Sequence, residues 1–310
     1  MADWTFAHVA DIQVGSPRSF RFAPAWNENW ATARRQIVER DPEFLLVGGD
    51  LTRDGFLHRY ELEAIRRDLD DLPFPAHVIP GNMDAGNKHA HRQGPNPKRD
   101  DMAWNIRPDT LAQFESVFGP SHWSVVHRNV RVTAFCDMLL GSGLPEEDAL
   151  WRWLETLADL PRVEHHLMMT HYALFIDAPD EAPFDIGDPD QYHAWYFSID
   201  QSSRDRLLEI ARAAGVERVV TGHIHRRRSV EIGGIGFDYA PATCMSQFGN
   251  RWPDADPTLG FSIYHVTDEG IRPEFVPLEE TSEAEGYGPG GHPPAEDRDY
   301  SIAWEKESNA

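Results

Sequence analysis

The sequence predicts an α/β protein in which a largely parallel sheet is covered by helices. Two observations favour this class: short apolar runs recur along the first 228 residues, and amphipathic stretches with helical spacing lie between them. A third observation concerns the later chain, where four apolar runs follow one another with glycine turns and no helical pattern. With 310 residues, 41% of them apolar or aromatic, the chain can form a core without disulfides or a structural metal.

Ten short apolar runs predict the strands. Six of them alternate with helices, and the last four read as antiparallel strands. The runs are 5–10, 44–47, 76–79, 130–136, 166–169, 218–220, 229–232, 235–239, 261–266 and 271–276. Four apolar stripes with spacings of three and four residues predict helices whose inner faces span 26–37, 62–69, 150–157 and 207–214.

The last part of the chain differs in composition from the rest. Residues 278–310 hold nine acidic and two basic residues, and positions 286–294 include four glycines and three prolines. Positions 286–294 cannot form a helix or a central strand, because of these glycines and prolines. We therefore predict a domain over 1–277 and a tail over 278–310. The tail is either solvated or, with Tyr300, Ile302 and Trp304 as anchors, a contact in a homo-oligomer.

The net charge of −22 argues against a nucleic-acid polymer as partner, because a phosphate backbone would be repelled. It leaves room for a small anionic substrate, since bound cations can dominate a local field. No apolar run approaches the about 20 residues that span a bilayer, and the first residues lack a signal-peptide pattern. We expect a cytoplasmic protein without membrane contact, in which Cys136 and Cys244 are ordinary buried thiols.

Metal-ligand side chains follow five of the predicted strands. The segments at these strand ends are Asp11-Ile12-Gln13, Gly49-Asp50, Gly81-Asn82, Thr170-His171 and Gly222-His223-Ile224-His225. Each segment alone is compatible with a turn, a helix cap or a core histidine. Together they place ligands at the edge of an open α/β sheet where such sites lie. The joint pattern predicts a metal centre.

The mixture of oxygen and imidazole donors suits Mn, Fe, Zn or Co better than Mg alone. Six or seven side chains are too many for one ion with an open position. They fit two ions about 3.5–4 Å apart that share a carboxylate. We expect two divalent cations, with Mn preferred and with Fe, Zn, Co or Mg as alternatives.

The five segments, in this order, resemble the calcineurin-like metallophosphoesterase superfamily. The family blocks are D-x-H, G-D-x-x, G-N-H-D/E, a lone His and G-H-x-H, and the resemblance spans residues 5–277. Pro241-Ala242-Thr243-Cys244 and Gly260-Phe261-Ser262 look like the branch of cyclic-nucleotide and glycerophosphodiester phosphodiesterases. The resemblance implies a four-layer α-β-β-α sandwich of mixed sheets with helices outside. The late antiparallel strands would belong to its second sheet, and 1–277 would be its catalytic domain.

The resemblance also implies the roles of the seven ligands. Asp11, Asp50 and His225 would hold the first ion, with Gln13 as an additional oxygen donor. Asp50 would bridge to the second ion, which would be held by Asn82, His171 and His223. Asn82 would in addition contact the substrate phosphate as a catalytic residue.

Two positions depart from the family pattern. Gln13 stands where the family has a histidine ligand, so we expect weaker binding of the first ion and a shift towards Mn or Mg. Met83 stands where the family has a catalytic histidine, and a thioether has no proton to give. This favours acidic leaving groups. We predict two-metal hydrolysis of phosphodiester or phosphoanhydride bonds in a small phosphorylated molecule, by a metal-bridging hydroxide.

Two loops are candidates for substrate contacts. The loop 85–108 concentrates basic residues, among which His89, His91 and Arg92 are candidate substrate-binding residues, unless the loop is merely solvated. The loop 175–196 follows His171 and ends in aromatic residues, which either stack on a base or sugar or pack in the core. Two alternative functions stay open: a metal-binding interaction scaffold without catalysis, and a phosphomonoesterase or protein phosphatase.

Overall fold

The structure is a computed structural model that describes residues 3–247, 252–294 and 297–304. It contains eleven strands in these segments. They are β1 (Trp4–Val9), β2 (Leu45–Gly48), β3 (Ala76–Ile79), β4 (His122–His127), β5 (Val130–Phe135), β6 (His165–Met169), β7 (Arg218–Thr221), β8 (Arg228–Ile232), β9 (Ile235–Tyr239), β10 (Gly260–Thr267) and β11 (Gly270–Pro277).

The strands form two mixed sheets. The first has the order β11-β10-β1-β2-β3, in which β1, β2 and β3 are parallel and β10 and β11 are antiparallel additions. The second has the order β4-β5-β6-β7-β9-β8, in which β5, β6, β7 and β9 are parallel. The four late strands were expected in the second sheet, and this was wrong for two of them: β10 and β11 extend the first sheet beside β1.

Helices cover the outer face of each sheet, as predicted. They are α1 (Pro24–Glu39), α2 (Arg59–Asp70), α3 (Asn82–Ala85), α4 (Pro108–Phe118), α5 (Pro145–Glu155), α6 (Tyr192–Phe197) and α7 (Gln201–Ala214). The four predicted stripes correspond to α1, α2, α5 and α7. The sequence analysis missed α4, which begins at a proline in its first position, and β4, an edge strand whose residues are only partly buried.

The core has three layers because residues of each strand alternate between two faces. Phe6 of β1 stacks on Phe44 and Tyr264 between the two sheets, whereas its neighbour Ala7 faces α1 and α2. A third cluster joins the outer face of the second sheet to α5 and α7. This is the four-layer arrangement that the family resemblance implied. Cys136 and Cys244 are buried and unpaired, as expected.

The C-terminal segment, for which we use the described residues 281–294 and 297–304, packs on its own chain. The Ser282 amide donates to Asn29 Oδ1 at 2.6 Å, and the Gly290 amide donates to the Phe20 carbonyl at 2.6 Å. Tyr300 is buried against Phe20 and Trp104. A tail that is only solvated is therefore not what the structure contains. A contact with a second subunit stays a prediction.

Among the helices in the described part of the chain, none combines the length and the apolar character that crossing a bilayer requires.

Candidate metal centre

The seven predicted ligands converge at one place. Three strands of the first sheet and two of the second deliver them, so the centre lies where the carboxyl ends of both sheets meet. All seven side chains are at most 2% exposed: Asp11, Gln13, Asp50, Asn82, His171, His223 and His225.

The ligand atoms form two groups that share one carboxylate. In one group, atoms of Asp11, Asp50 and His225 lie within 4.8 Å of one another. In the other, atoms of Asp50, His171 and His223 do the same. Asn82 Oδ1 adds an oxygen to the second group, 3.1 Å from His171 Nε2. We call these seven residues the metal-ligand cluster. Asp50 occupies the shared position that was predicted for it.

Each histidine of the cluster turns one ring nitrogen towards a backbone carbonyl. His171 Nδ1 lies 2.8 Å from the Gly48 oxygen, and His225 Nδ1 lies 2.9 Å from the Met245 oxygen. His223 Nε2 lies 3.1 Å from the oxygen of Tyr196. A carbonyl only accepts, so these nitrogens carry hydrogen and the opposite ones face the cluster. This is how proteins orient histidines that bind metals.

Backbone strain is concentrated in the same residues. The φ angles of Asp11, Gln13, Asp50, His223 and His225 lie between 50° and 68°. Residues other than glycine rarely adopt this backbone conformation, and each such residue costs about 1–3 kcal/mol of folding free energy. The strain aims the side chains that follow β1, β2 and β7 towards one another.

Two glycines allow the ligand loops to approach. A Cβ at Gly81 would lie 2.2 Å from the backbone nitrogen of Asp50, and one at Gly49, whose φ is +91°, would lie 2.5 Å from His171 Nδ1. The loops after β2 and β3 could not meet around Asp50 if either position carried a side chain.

Two buried carboxylates that the sequence analysis did not assign support the cluster. Asp84 accepts hydrogen bonds from the amides of Leu51, Thr52 and Gly81 at 2.8–3.0 Å, which ties the loop of Asp50 to that of Asn82. Asp137 accepts from the amide of His171 at 2.8 Å. Asp137 follows the predicted strand 130–136, so the strand-end rule that found the ligands could have found it too.

Electrostatics of the cluster favour a cation. Burial alone would raise the pKa of Asp50, but the neighbouring His171 and His223 hold it below its usual value. Burial and the proximity of His171 lower the pKa of His223 well below its usual range, so this imidazole stays neutral. Asp11 Oδ1 and His223 Nδ1 are buried and lack hydrogen-bond partners among the described residues. Buried donor atoms of these types fit a divalent metal ion.

Gln13 belongs to the cluster, but its amide is oriented differently from the expectation. Its oxygen accepts a hydrogen bond from Arg53 Nη1 at 3.0 Å, while its Nε2 faces Asp50 Oδ2 at 3.1 Å and His225 Nε2 at 3.3 Å. The predicted oxygen donor to the first ion therefore points at a guanidinium. Arg53 determines this orientation, because a flipped amide would place the NH₂ group of Gln13 against the N–H of Arg53 Nη1, and both are donors.

Met83 lies between the cluster and two arginines. Its amide donates to Asp50 Oδ1 at 2.8 Å, and its sulfur is 3.2 Å from Arg21 Nη2 and 3.8 Å from Arg53 Nη1. The backbone at position 83 thus contacts the cluster, and the side chain lines the cavity described below. Instead of a proton donor, it presents a thioether flanked by two positive charges.

A cavity of about 640 Å³ opens over the cluster. Aromatic residues of the predicted loop 175–196 and of α6 line one side of it, namely Tyr192, Tyr196 and Phe197. Residues of the C-terminal segment line another side, and nothing in the sequence pattern predicted this: His292, Pro293, Pro294, Arg298 and Tyr300. Its volume lies in the range of pockets for small molecules, about 300–1,000 Å³.

The three candidate substrate residues of the loop 85–108 do not line this cavity in the described structure. His89 Nε2 contacts the Ile106 carbonyl at 3.1 Å, His91 is exposed, and Arg92 forms an ion pair with Asp185. The loop does contribute a different basic residue, Arg99. The three candidates from the sequence therefore lie outside the cavity lining, and a basic residue that was not selected lies in it.

Comparisons with known proteins agree with this geometry. The model of the calcineurin-like phosphoesterase family matches residues 5–227. The chain is 25% identical over 304 residues to the serine/threonine-protein phosphatase CPPED1 of Danio rerio, a match that covers 90% of this chain and 86% of that protein. It is 32% identical over 84 residues to a Pseudoalteromonas sp. (strain SM9913) protein named as a probable cyclic nucleotide phosphodiesterase, covering 27% and 32%.

Solved structures share the fold. A dimetal phosphatase from Danio rerio superposes with a TM-score of 0.54 at 13% identity, covering 89% of this chain and 99% of that one. The family match, the two ligand groups and the phosphatase and phosphodiesterase relatives together indicate a metal-dependent phosphoester hydrolase. The chain belongs to the calcineurin-like phosphoesterase family.

Proposed function

We propose that this protein hydrolyses phosphodiester or phosphoanhydride bonds in small molecules, with two divalent cations held by the metal-ligand cluster. One observation carries the proposal: two ligand groups share Asp50, and each histidine in them is turned by a backbone carbonyl so that its other nitrogen faces the group. When bound, such cations supply an activated water and offset the charge on the phosphoryl oxygens.

The residues of the chain have separate tasks in this proposal. Asp11, Asp50 and His225 hold one cation, and Asp50, His171 and His223 hold the other. The oxygen and nitrogen donors together suit Mn, with Fe, Zn or Co as alternatives.

Asn82 is oriented to complete the second group and to reach the substrate. Its Nδ2 donates to Asn87 Oδ1 at 3.0 Å and to the Tyr196 hydroxyl at 3.2 Å, which fixes its oxygen on the side of His171. Asn82 thus contrasts with Gln13, whose amide oxygen is turned away from the cluster.

The type of bond that is cleaved is inferred from Met83, which contacts the cluster and cannot act as a general acid. Met83 cannot donate a proton, and general acid catalysis is worth about 10²–10⁴ in rate. Bonds whose leaving groups are already acidic need that proton least. These are aryl esters and phosphoanhydrides.

A second candidate is hydrolysis of phosphomonoesters, including phosphoserine or phosphothreonine in proteins. It is favoured by the serine/threonine-protein phosphatase relative, which aligns over 90% of this chain. The cavity argues for the first candidate, because a small-molecule pocket closed on one side by the C-terminal segment suits a free small molecule better than a segment of a folded protein.

The test compares a diester with its monoester. Protein treated with EDTA and reloaded with Mn²⁺ should hold two ions per chain and hydrolyse bis(p-nitrophenyl) phosphate faster than p-nitrophenyl phosphate. His171→Ala should lose one ion and most activity. His265→Ala, which removes an imidazole paired with Glu274 on the surface, should change neither. Full activity in EDTA would refute metal dependence, and a preference for the monoester would favour the second candidate.

A further inference from the structure

Four arginines surround the part of the cavity beyond Met83. Arg21 and Arg53 come from the loops after β1 and β2, Arg99 from the loop 85–108, and Arg298 from the C-terminal segment, and all four line the cavity. We call this set the arginine wall. Its members come from four separate segments of a chain whose net charge is −22.

The charges of the wall are only partly balanced. Arg21 pairs with Asp54 at 2.7 Å, and Arg99 lies 3.0 Å from Asp101. Arg53 and Arg298 have no ion pair with any carboxylate in the described ranges. Two positive charges are thus left without a counter-charge.

The absence of a counter-charge costs more free energy at Arg53 than at Arg298, because Arg53 is only 3% exposed. Its Nε has no hydrogen-bond partner among the described residues, and its Nη1 donates to the neutral Gln13 amide. Removing an unpaired cation from water costs several kcal/mol. A guanidinium in this state is explained if an anion completes its contacts.

Arg298 is similarly free to bind. Its Nε donates to the Pro293 carbonyl at 2.8 Å, and its Nη1 lies 3.5 Å from the Tyr300 hydroxyl, so its contacts are neutral groups.

The positive charge of the wall lowers the pKa of two neighbouring groups, Tyr300 and His292. Burial alone would raise the pKa of Tyr300, but Arg99, Arg21 and Arg298 bring it below its usual value. Burial and the charges of Arg53, Arg298 and Arg21 lower the pKa of His292 to about 3. His292 Nε2 is buried at this wall and has no hydrogen-bond partner in the described structure.

The wall lies one side chain away from the metal-ligand cluster. Arg21 and Arg53 contact the sulfur of Met83, and the Met83 amide binds Asp50. A phosphoryl group held at the cluster would have a substituent that extends past Met83 towards the guanidinium groups. A guanidinium forms paired hydrogen bonds with phosphate or carboxylate oxygens. Several guanidinium groups at one place match the larger charge and the additional oxygens of a phosphate.

We infer that the arginine wall binds a second phosphate of the substrate, beyond the bond that is cleaved. This rests on the proposed function and narrows it: the substrate class is small molecules with two phosphate groups, such as nucleotide or sugar pyrophosphates. The wall stabilises the negative charge of a phosphate leaving group, for which the thioether of Met83 has no proton to give. The C-terminal segment supplies Arg298 and is therefore part of the binding site.

The first experiment uses metal-free protein, so that the wall is tested apart from catalysis. Calorimetric titration of EDTA-treated protein with inorganic phosphate should detect one site. Its affinity should fall at least tenfold in Arg298→Met and in Arg53→Met. Arg272→Met, which removes a surface arginine paired with Glu269, should bind like the unmodified protein. The inference would be overturned if the unmodified protein did not bind phosphate, if both variants bound it as tightly as the unmodified protein, or if acetate bound as tightly as phosphate.

The second experiment uses the Mn²⁺-loaded protein and two substrates. The variant Arg298→Met should raise KM for a dinucleoside pyrophosphate at least tenfold, while KM for bis(p-nitrophenyl) phosphate should change less than twofold. Equal effects on both substrates would overturn the inference and leave the hydrolase proposal intact. Failure of the unmodified protein to cleave either substrate would refute the hydrolase proposal, and the phosphate titration would still decide on the wall. Circular dichroism confirms that each variant is folded.

Discussion

The two sides of the cavity are built in different ways. The metal-ligand cluster consists of residues that directly follow strands, and both sheets position them. The arginine wall consists of residues from loops and from the C-terminal segment, beyond the ends of the sheets. The first is set by the fold of the family. The second depends on segments that can differ between members of one fold without altering its sheets.

One cavity can in this way separate two tasks. In the proposed function, the carboxylates and imidazoles of the cluster would hold cations, and these would bind the reacting phosphate. The wall offers guanidinium groups that bind an anion directly. Met83 lies at the boundary between them, in contact with Asp50 on one side and Arg21 on the other.

The largest expected effect concerns the shared residue of the cluster. Asp50→Asn removes the charge that both ligand groups use, so both cations should be lost. Because a catalytic metal ion contributes several kcal/mol and about 1.4 kcal/mol is tenfold in rate, turnover should fall by at least about 10³-fold. Metal analysis and bis(p-nitrophenyl) phosphate assays measure this. The exposed Asp190→Asn is the control. An Asp50→Asn variant that keeps two ions and full activity would show that the cluster is not the active site.

The different construction of the two sides explains what the sequence could predict. The ligands follow apolar strands, and the hydrophobic alternation of a strand predicts where its end lies. Five strand ends with ligand side chains were therefore found, and their convergence follows from the order of parallel strands. Asp137 obeys the same rule after β5 and was overlooked only because a single aspartate resembles a turn residue.

The wall could not be predicted for a physical reason. Arg53 and Arg298 are 245 positions apart, and no periodic pattern connects a loop to a segment rich in glycine and proline. Their proximity results from the packing of Tyr300 on Phe20 and Trp104, which is a tertiary contact without a local signal. The basic composition of the loop 85–108 did indicate a substrate-binding segment, but the residues selected from it were His89, His91 and Arg92. The basic residue of this loop that lines the cavity is Arg99.

The next effect in size is at the boundary residue. Met83→His introduces a proton donor next to Asp50, so hydrolysis of alkyl phosphodiesters should rise by about 10²-fold, and aryl esters should gain little. The adjacent Arg21 and Arg53 would lower the pKa of the introduced imidazole, so the gain should be larger at pH 6 than at pH 8. Met102→His, at a methionine that is 49% exposed, is the control. A gain that is equal for alkyl and aryl esters would mean that position 83 does not face the leaving group.

A smaller effect is expected within the cluster. Gln13→His replaces an amide whose oxygen is bound to Arg53 with an imidazole that can face Asp50 and His225. Affinity for the ion of this group should rise about tenfold and shift from Mn towards Zn, because imidazole is a softer and stronger ligand. Competitive titration with a metal chelator measures the affinity and the preference between Mn and Zn. Gln93→His, on the exposed loop, is the control. An unchanged metal profile would show that Arg53 keeps position 13 out of the coordination sphere.

The smallest effect concerns the charge balance behind the wall. Glu61 receives hydrogen bonds from the amides of Ser16 and Asp54, and Asp54 is the partner of Arg21. Burial, together with the charge of Asp54, raises the pKa of Glu61 to about 8. Glu61 is then neutral at pH 7 and adds no negative charge to that of Asp54, the partner of Arg21.

The sign of the pH dependence follows from this pKa. The unfolded chain loses the Glu61 proton near the ordinary value of 4.5, whereas the folded protein keeps it until about pH 8. Between these values the folded state binds more protons, so this residue makes the free energy of unfolding fall as pH rises, by at most about 1.4 kcal/mol per pH unit. Glu61→Gln should remove that slope, and Glu63→Gln, at an exposed partner of Arg59 on the same helix, should retain it. Urea unfolding at pH 5, 6, 7 and 8 provides the comparison. If the difference in the free energy of unfolding between Glu61→Gln and the unmodified protein stays constant over this range, Glu61 is ionised in the folded state at all four pH values.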